Sequence, residues 1–375
     1  MGKLKACPEP RRRVEGLRFF GVVLFLMFLS ACAAPTVTPT AFVPPADTST
    51  PRVILPTLTI TPTPTATASP SPTSENVVAI QFPAPGLIHD LRWSPDGGAL
   101  VIAAGTDIHT YNFHDNMREM YVIRLGIWTE RLAFFDMPAT LLGAALKDGS
   151  VRFWDWLTGK ELCKFTAHTK GANSLAFQPH GTLLATTGTD IISRTWDISS
   201  VLAGGCKVKP VGQLIGSSFT APDVTFSADG ASFALVDIKD IYLRESQTRK
   251  LIAVLHGDLA IFDIALSADG HWLAAAQNNA TVTLWDLTAK PKPTSTLLHL
   301  PKGQFYTWRV DFSADGSLLA GATSGGELLV WQIPSLQPVF SRSLGHPISG
   351  LAFNPSTSAL TVGTLNGSVY VYTVK

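Results

Sequence analysis

Leu91-Arg92-Trp93-Ser94-Pro95-Asp96-Gly97 is the stretch on which the reading of this chain turns. It is a short apolar strand ending in an aromatic residue, followed by a Ser/Pro/Asp/Gly turn. The same unit recurs as LAFFDMPAT, LAFQPHG, VTFSADG, IALSADG, VDFSADG and LAFNPST. The anchors are Trp93, Phe134, Phe177, Phe226, Leu266, Phe312 and Phe353, spaced 41, 43, 49, 40, 46 and 41 residues apart. Ser, then Pro or Ala, then Asp suits a type I turn, and Gly takes the left-handed conformation that follows. Each copy therefore opens with a hairpin. Seven copies at a period of about 43 residues match the period of a four-stranded propeller blade.

After each turn comes an apolar strand, a polar turn and an alternating third strand, which ends in Trp154-Asp155, Trp196-Asp197 and Trp285-Asp286 in three copies. Period, turn and WD dipeptides together resemble the WD-repeat family, over essentially all of residues 76–375. The resemblance implies an all-β, seven-bladed propeller. It also implies a structural hydrogen-bond network in each blade, from a His ahead of the first strand to a Ser/Thr, a turn Asp and the Trp. The third blade fits best, with His168, Thr186 or Thr187, Asp190 and Trp196. The second offers Asp148 and Trp154 without a His, and the seventh offers His346 and Asn366 but ends in Tyr372. Blades one and four depart most, with Tyr111 and Leu243 near the Trp position and shortened second hairpins.

The seventh copy ends just after its third strand, which leaves that blade one strand short with its edge unpaired. Residues 76–82, NVVAIQF, precede the first repeat and have strand composition. They are expected to supply the fourth, outer strand of the last blade.

Ahead of the repeats, residues 1–18 are basic, residues 19–29 (FFGVVLFLMFL) form an unbroken apolar run, and Ser30, Ala31 and Cys32 follow. Eleven apolar residues are too few to span a bilayer but suit a signal-peptide core. The order resembles a bacterial lipobox, which implies cleavage after residue 31 and lipid attachment at Cys32. Arg11, Arg12 and Arg13 belong to the basic leader. Residues 35–74 hold 12 Thr and 10 Pro, with Asp47 and Arg52 as the only charges. Such a stretch cannot pack a core, and as an extended tether it reaches about 120 Å. It suits an O-glycosylated stalk as well as an unmodified linker. The organisation expected is a signal peptide at 1–31, a lipidated Cys and tether at 32–75, and a propeller at 76–375.

Charge narrows function. Twenty-nine Lys and Arg against 28 Asp and Glu give +1, and loss of residues 1–31 leaves −3, so no basic field points to nucleic acid. There is no Walker loop, GxSxG, GxGxxG or metal-ligand spacing among the nine His. No cofactor and no metal site are expected. Cys7 leaves with the signal, and Cys163 and Cys206 remain. They lie near outer strands of neighbouring blades and are expected to stay free thiols, with pairing in an oxidising compartment as the alternative.

Three residues before each anchor stand Asp90, Arg131, Ser174, Asp223, Asp263, Arg309 and Gly350, one per blade near the start of the innermost strand. Charges beside a closed ring need partners. Adjacent blades offer two pairs, Asp90 with Arg131 and Asp263 with Arg309. The lead-in loops and second-hairpin turns share one face, where Trp128, Phe219, Phe262, Phe305, Tyr306 and Trp308 cluster. These aromatics are the candidate contact set, and packing between blades is their competing role. Two insertions, at 199–210 and 288–296, should hang from the opposite face.

The expectation is a lipid-anchored, extracytoplasmic, monomeric propeller that binds a protein or a cell-envelope component without catalysis. The alternatives are a propeller enzyme of lactonase or hydrolase type, using acids at the channel mouth, and a TolB-like envelope-assembly factor.

Overall fold

The computed structural model describes residues 78–374 except 83–86, 137–139, 217–222, 291 and 302–304. The expected signal peptide, Cys32 and tether lie outside the described residues. Seven four-stranded antiparallel sheets follow one another along the chain. Blade one is β2 (Ile88–Trp93), β3 (Ala99–Ala104), β4 (Asp107–Asn112) and β5 (Arg118–Arg124). Blade two is β6 (Thr129–Phe134), β7 (Leu141–Leu146), β8 (Ser150–Asp155) and β9 (Lys160–Thr166). Blade three is β10 (Ala172–Phe177), β11 (Leu183–Gly188), β12 (Ile192–Asp197) and β13 (Lys209–Gly216). Blade four is β14 (Val224–Phe226), β15 (Ser232–Asp237), β16 (Asp240–Glu245) and β17 (Leu251–His256). Blade five is β18 (Ile261–Leu266), β19 (Trp272–Gln277), β20 (Thr281–Asp286) and β21 (Thr294–His299). Blade six is β22 (Thr307–Phe312), β23 (Leu318–Thr323), β24 (Glu327–Gln332) and β25 (Gln337–Ser343).

Blade seven holds β26 (Ile348–Phe353), β27 (Ala359–Thr364) and β28 (Ser368–Thr373), and its outer strand is β1 (Val78–Gln81). The N-terminal strand thus closes the ring, as its composition implied. Val78 pairs with Val371 and Gln81 with Ser368. The Phe82 amide donates to the Gly367 carbonyl at 2.9 Å, and Ser368 donates to Gln81 Oε1 at 2.7 Å. The Phe82 ring is buried against His109 and Tyr111 of blade one, at 4.9 and 5.9 Å between centroids, so it joins the last blade to the first.

The second strands explain the apolar runs. β3, β7, β11 and β27 are buried at every position, because neighbouring blades cover both their faces. The seven apolar clusters coincide with the seven blade interfaces: Phe135, Phe153 and Phe177, for example, meet between blades two and three. The turn motif works locally. In Ser94/Asp96, Ser227/Asp229, Ser267/Asp269 and Ser313/Asp315 the hydroxyl donates to the carboxylate at 2.5–2.6 Å. That carboxylate also accepts the amide two residues on, and Gly97 follows at φ +72°. These Asp residues build turns. The second hairpins of blades one and four are short, with two residues between β3 and β4 and between β15 and β16 where blade three has three.

The insertions are smaller than the sequence suggested. The first opens with α1 (Ser199–Leu202) and ends where β13 begins at Lys209. The second covers only 288–293, since Thr294 already starts β21. The expectation of two free thiols is overturned: Cys163 of β9 and Cys206, beyond α1, form a disulfide with Cα atoms 5.1 Å apart. The insertion folds back onto the outer strand of blade two, and Cys206 Sγ also lies 3.9 Å from the Lys164 carbonyl. The sequence placed the two Cys near outer strands of neighbouring blades, and the return of the segment after α1 to β9 is what brings them together.

Candidate functional site: the channel and its aromatic mouth

Innermost strands carry the ring residues, and each Asp among them uses one oxygen on its neighbour's backbone. Asp90 Oδ2 accepts the Leu132 amide at 2.8 Å, Asp223 Oδ2 that of Ile264 at 3.0 Å, and Asp263 Oδ2 that of Val310 at 3.0 Å. In every case the donor stands two residues before the next blade's anchor. An Asp three residues before an anchor is thus a staple to the following blade.

The remaining oxygens converge on Arg131, which is 4% exposed. Its Nη2 lies 2.7 Å from Asp263 Oδ1 and 3.1 Å from Asp223 Oδ1, and its Nη1 lies 4.0 Å from Asp90 Oδ1. Ser174 adds a hydrogen bond to Asp223 Oδ1 at 2.6 Å. Of the two expected pairs, Asp90 with Arg131 exists only at the 4.0 Å limit, and Asp263 with Arg309 is corrected. Arg309 instead donates to the Trp308 carbonyl at 3.1 Å and the His89 carbonyl at 3.2 Å. A guanidinium on blade two spans the narrow channel to blades four and five, so Asp263 is already engaged.

Burial opposes charge at Arg131, but Asp223, Asp263 and Asp90 outweigh it and hold the guanidinium's pKa above the usual value. At Arg309, burial and then repulsion from Arg131 act the other way. Asp223 stays below the usual carboxylate range, since Arg131 and Ser174 overcome its burial. Asp263 lies above it, from burial with the Asp223 charge beside it.

Arg131, Ser174, Asp223 and Asp263 of this ring also line a channel cavity of about 280 Å³. Ala133, Ala176, Thr225 and Ala265, one residue before their anchors, line it and leave the room. Arg92 and Asp311 occupy the same position in blades one and six. Arg92 Nε lies 3.5 Å from Asp90 Oδ2 and donates to the Leu132 carbonyl at 3.3 Å. Asp311 Oδ2 accepts the Phe353 amide at 2.8 Å, and burial pushes its carboxyl up to about 6. Sequence reasoning missed both. The signal was present, because these two are the charged residues in a column otherwise Ala or Thr.

At the other end lie the aromatics. Trp128 stacks at a tilt on His89 with centroids 4.9 Å apart, and burial holds His89 below its ordinary pKa. Phe262 meets Tyr306 at 5.5 Å. Phe305 and Tyr306 are 42% and 45% exposed, which makes them surface rather than core. Phe305 lies so close over Gly325 of the β23–β24 turn that a Cβ there would meet its ring at 2.3 Å. Trp308 is half-buried beside them. Phe219 lies outside the described residues.

The network residues hold the third blade. His168 Nδ1 lies 2.8 Å from Asp190 Oδ1, its Nε2 lies 2.9 Å from Thr186 Oγ1, and Trp196 Nε1 donates to the same hydroxyl at 2.9 Å. Thr186, not Thr187, is the member. Arg194, which the sequence did not suggest, donates to Asp190 Oδ2 at 2.8 Å. Despite burial, bonds from His168, Thr169 and Arg194 hold the Asp190 carboxyl at about 2. In blade two, Asp148 accepts from the Ser150 amide and hydroxyl, and Trp154 is buried. His346 is corrected. It is exposed, while Thr364 donates to Asn366 at 2.6 Å without it. His168 stands six residues before Ser174, but His346 stands only four before Gly350, so its loop is too short to turn the ring inward. Among the described residues, no group of three or more His, Cys, Asp or Glu could hold a metal ion, and no helix is long and apolar enough to cross a membrane.

Comparisons agree with this architecture. Residues 249–286 and 338–373 match the family described as WD domain, G-beta repeat, and residues 70–197 match the one described as eukaryotic translation initiation factor eIF2A. The chain is 29% identical over 121 residues to the Protein LST8 homolog of Drosophila pseudoobscura pseudoobscura, covering 32% of this chain and 37% of that protein. It is 26% identical over 156 residues to the Nuclear distribution protein PAC1 of Arthroderma benhamiae, covering 38% and 32%. Telomerase protein component 1 of Rattus norvegicus matches at 24% over 165 residues, 44% of this chain and 6% of that protein. The chain thus spans well under half of the curated relatives it matches. The β-propeller domain of Cps50 (Swd1) from Myceliophteria thermophila superposes with a TM-score of 0.68 at 15% identity, over 80% of this chain and 100% of that one. The chain is a seven-bladed β-propeller in which residues 249–286 and 338–373 match WD40 repeats.

Proposed function

We propose that this propeller is a non-catalytic scaffold, lipid-anchored through Cys32 on the extracytoplasmic side of a membrane, which binds a protein or cell-envelope component at its aromatic channel mouth. The observation that carries the reading is the mouth itself. Phe305 and Tyr306 are exposed beside Trp308 and Phe262, above a ring whose acids are engaged by Arg131 and by neighbouring backbone amides. Exposed aromatics of this kind are enriched at recognition surfaces. A Trp128→Ala/Tyr306→Ala variant should lose capture of the partner from envelope extract while its Tm stays within about 2 °C of the parent. Unchanged capture, or unfolding, would count against a contact role.

Location has two independent supports, the leader ending in Leu29-Ser30-Ala31-Cys32 and the Cys163–Cys206 disulfide. Structural disulfides persist mainly in oxidising compartments. Alkylation of intact cells without reductant should leave Cys163 and Cys206 unlabelled, and Cys32→Ser should move the protein out of the membrane fraction. Labelled thiols would sink the extracytoplasmic reading. The Cys163→Ala/Cys206→Ala variant is expected to lose about 2–4 kcal/mol, since the bridge closes a 43-residue span.

A further inference from the structure

Seven outer strands present unpaired backbone to solvent, a hazard that proteins reduce with charge, Pro, bulges or brevity. β1 is only four residues long. β5, β9, β13 and β25 each carry charged residues and a register irregularity, and β13 and β25 add Pro210 and Pro338. β17 lacks charges but has the irregularity. β21 has none of these guards. Its sequence, Thr-Ser-Thr-Leu-Leu-His, holds no Lys, Arg, Asp, Glu or Pro, and all six residues pair with β20 in unbroken register from Thr281↔His299 to Asp286↔Thr294. It ends its sheet, Leu297 is 49% exposed, and every side chain except Leu298 is exposed. Exposed Lys290 and Lys292 stand just before it.

We propose that β21 is a strand-addition site, whose occupant is an extended segment of another protein running antiparallel to it, with an uncharged β-rich stretch followed by acidic residues. Backbone bonds along the straight edge would give affinity. The two Lys lie beside the end where an antiparallel strand leaves, which sets the position and sign of the partner's charge. A second copy of this chain fits less well, since a symmetric β21 pair has no acid to meet the Lys residues. This surface lies on the rim of blade five and does not depend on the channel mouth.

The probe is a fluorescent peptide, Thr-Val-Thr-Val-Thr-Val-Asp-Glu-Asp, titrated into the purified full-length protein. Saturable binding is expected, with slowed hydrogen exchange at β21 amides. Leu297→Lys should weaken binding about tenfold or more at unchanged Tm, because an exposed Lys guards an edge. Lys290→Glu/Lys292→Glu should reverse the preference toward a peptide ending in Lys. Trp128→Ala/Tyr306→Ala should leave peptide binding intact, so failure of the mouth and failure of the edge are told apart. No saturable binding, binding insensitive to Leu297→Lys, or a dimer that Leu297→Lys dissociates would each overturn the proposal.

Discussion

Arg131→Met should destabilise the propeller by about 3–5 kcal/mol, because removing one partner of a buried ionic cluster leaves the others uncompensated. At this size that is about 5–8 °C in Tm. The effect is large because Arg131 touches carboxylates from three other blades, Asp90, Asp223 and Asp263, so its loss is felt across the ring rather than at one interface. The pH dependence has a definite sign. Without the guanidinium, the Asp223 carboxyl rises above its unfolded value and that of Asp263, already above it, rises further, so the fold favours their protonated forms. Their contribution is then full below the unfolded carboxylate range, and is lost as pH rises through the raised folded value. The deficit against the parent should be wide at pH 7–8 and narrow toward about pH 4. Adding Asp223→Asn and Asp263→Asn should recover part of the loss. An Arg131→Met protein as stable as the parent at pH 7.5 would remove the ring from the account of what holds the blades together.

Deleting residues 76–82 should be at least as damaging. It strips β28 of its outer partner, exposes an edge, and removes Phe82 from its seat between His109 and Tyr111. Phe82→Ala alone should cost about 3–5 kcal/mol, the usual range for a buried Phe. The full deletion should lower Tm by more than that substitution and promote self-association through β28, which thermal melts and light scattering would read. Equal melting temperatures would mean that blade seven holds with three strands.

How far the sequence carried these results differs between fold and site. Blade number, hairpin turns and the closing strand were legible because each rests on local chemistry: a Gly at positive φ, a Ser–Asp turn, a strand left without a neighbour. The ring positions were legible too, since counting back three residues from each anchor finds them. Their pairing was not. Adjacency along the chain favoured Arg309 for Asp263, whereas the channel is narrow enough for Arg131 to reach across it, and backbone amides of the next blade take the second oxygens. The same limit hid the disulfide, since nothing in the spacing of Cys163 and Cys206 reveals that the segment after α1 turns back. His346 failed for a reason visible in hindsight, as two residues fewer in its loop prevent the reach that His168 has.

The composite last blade also bears on time. Val78 and Val371 are partners 293 residues apart, and synthesis runs from the N-terminus at about 5–20 residues per second. Some 15–60 s therefore separate the appearance of the two strands on the ribosome. Throughout that interval β1 has no hydrogen-bonding neighbour, and six blades can form while the circle stays open. Closure of the circle has to wait for β28. Whatever guards a nascent copy has to shield one short apolar strand from first emergence until the final blade arrives.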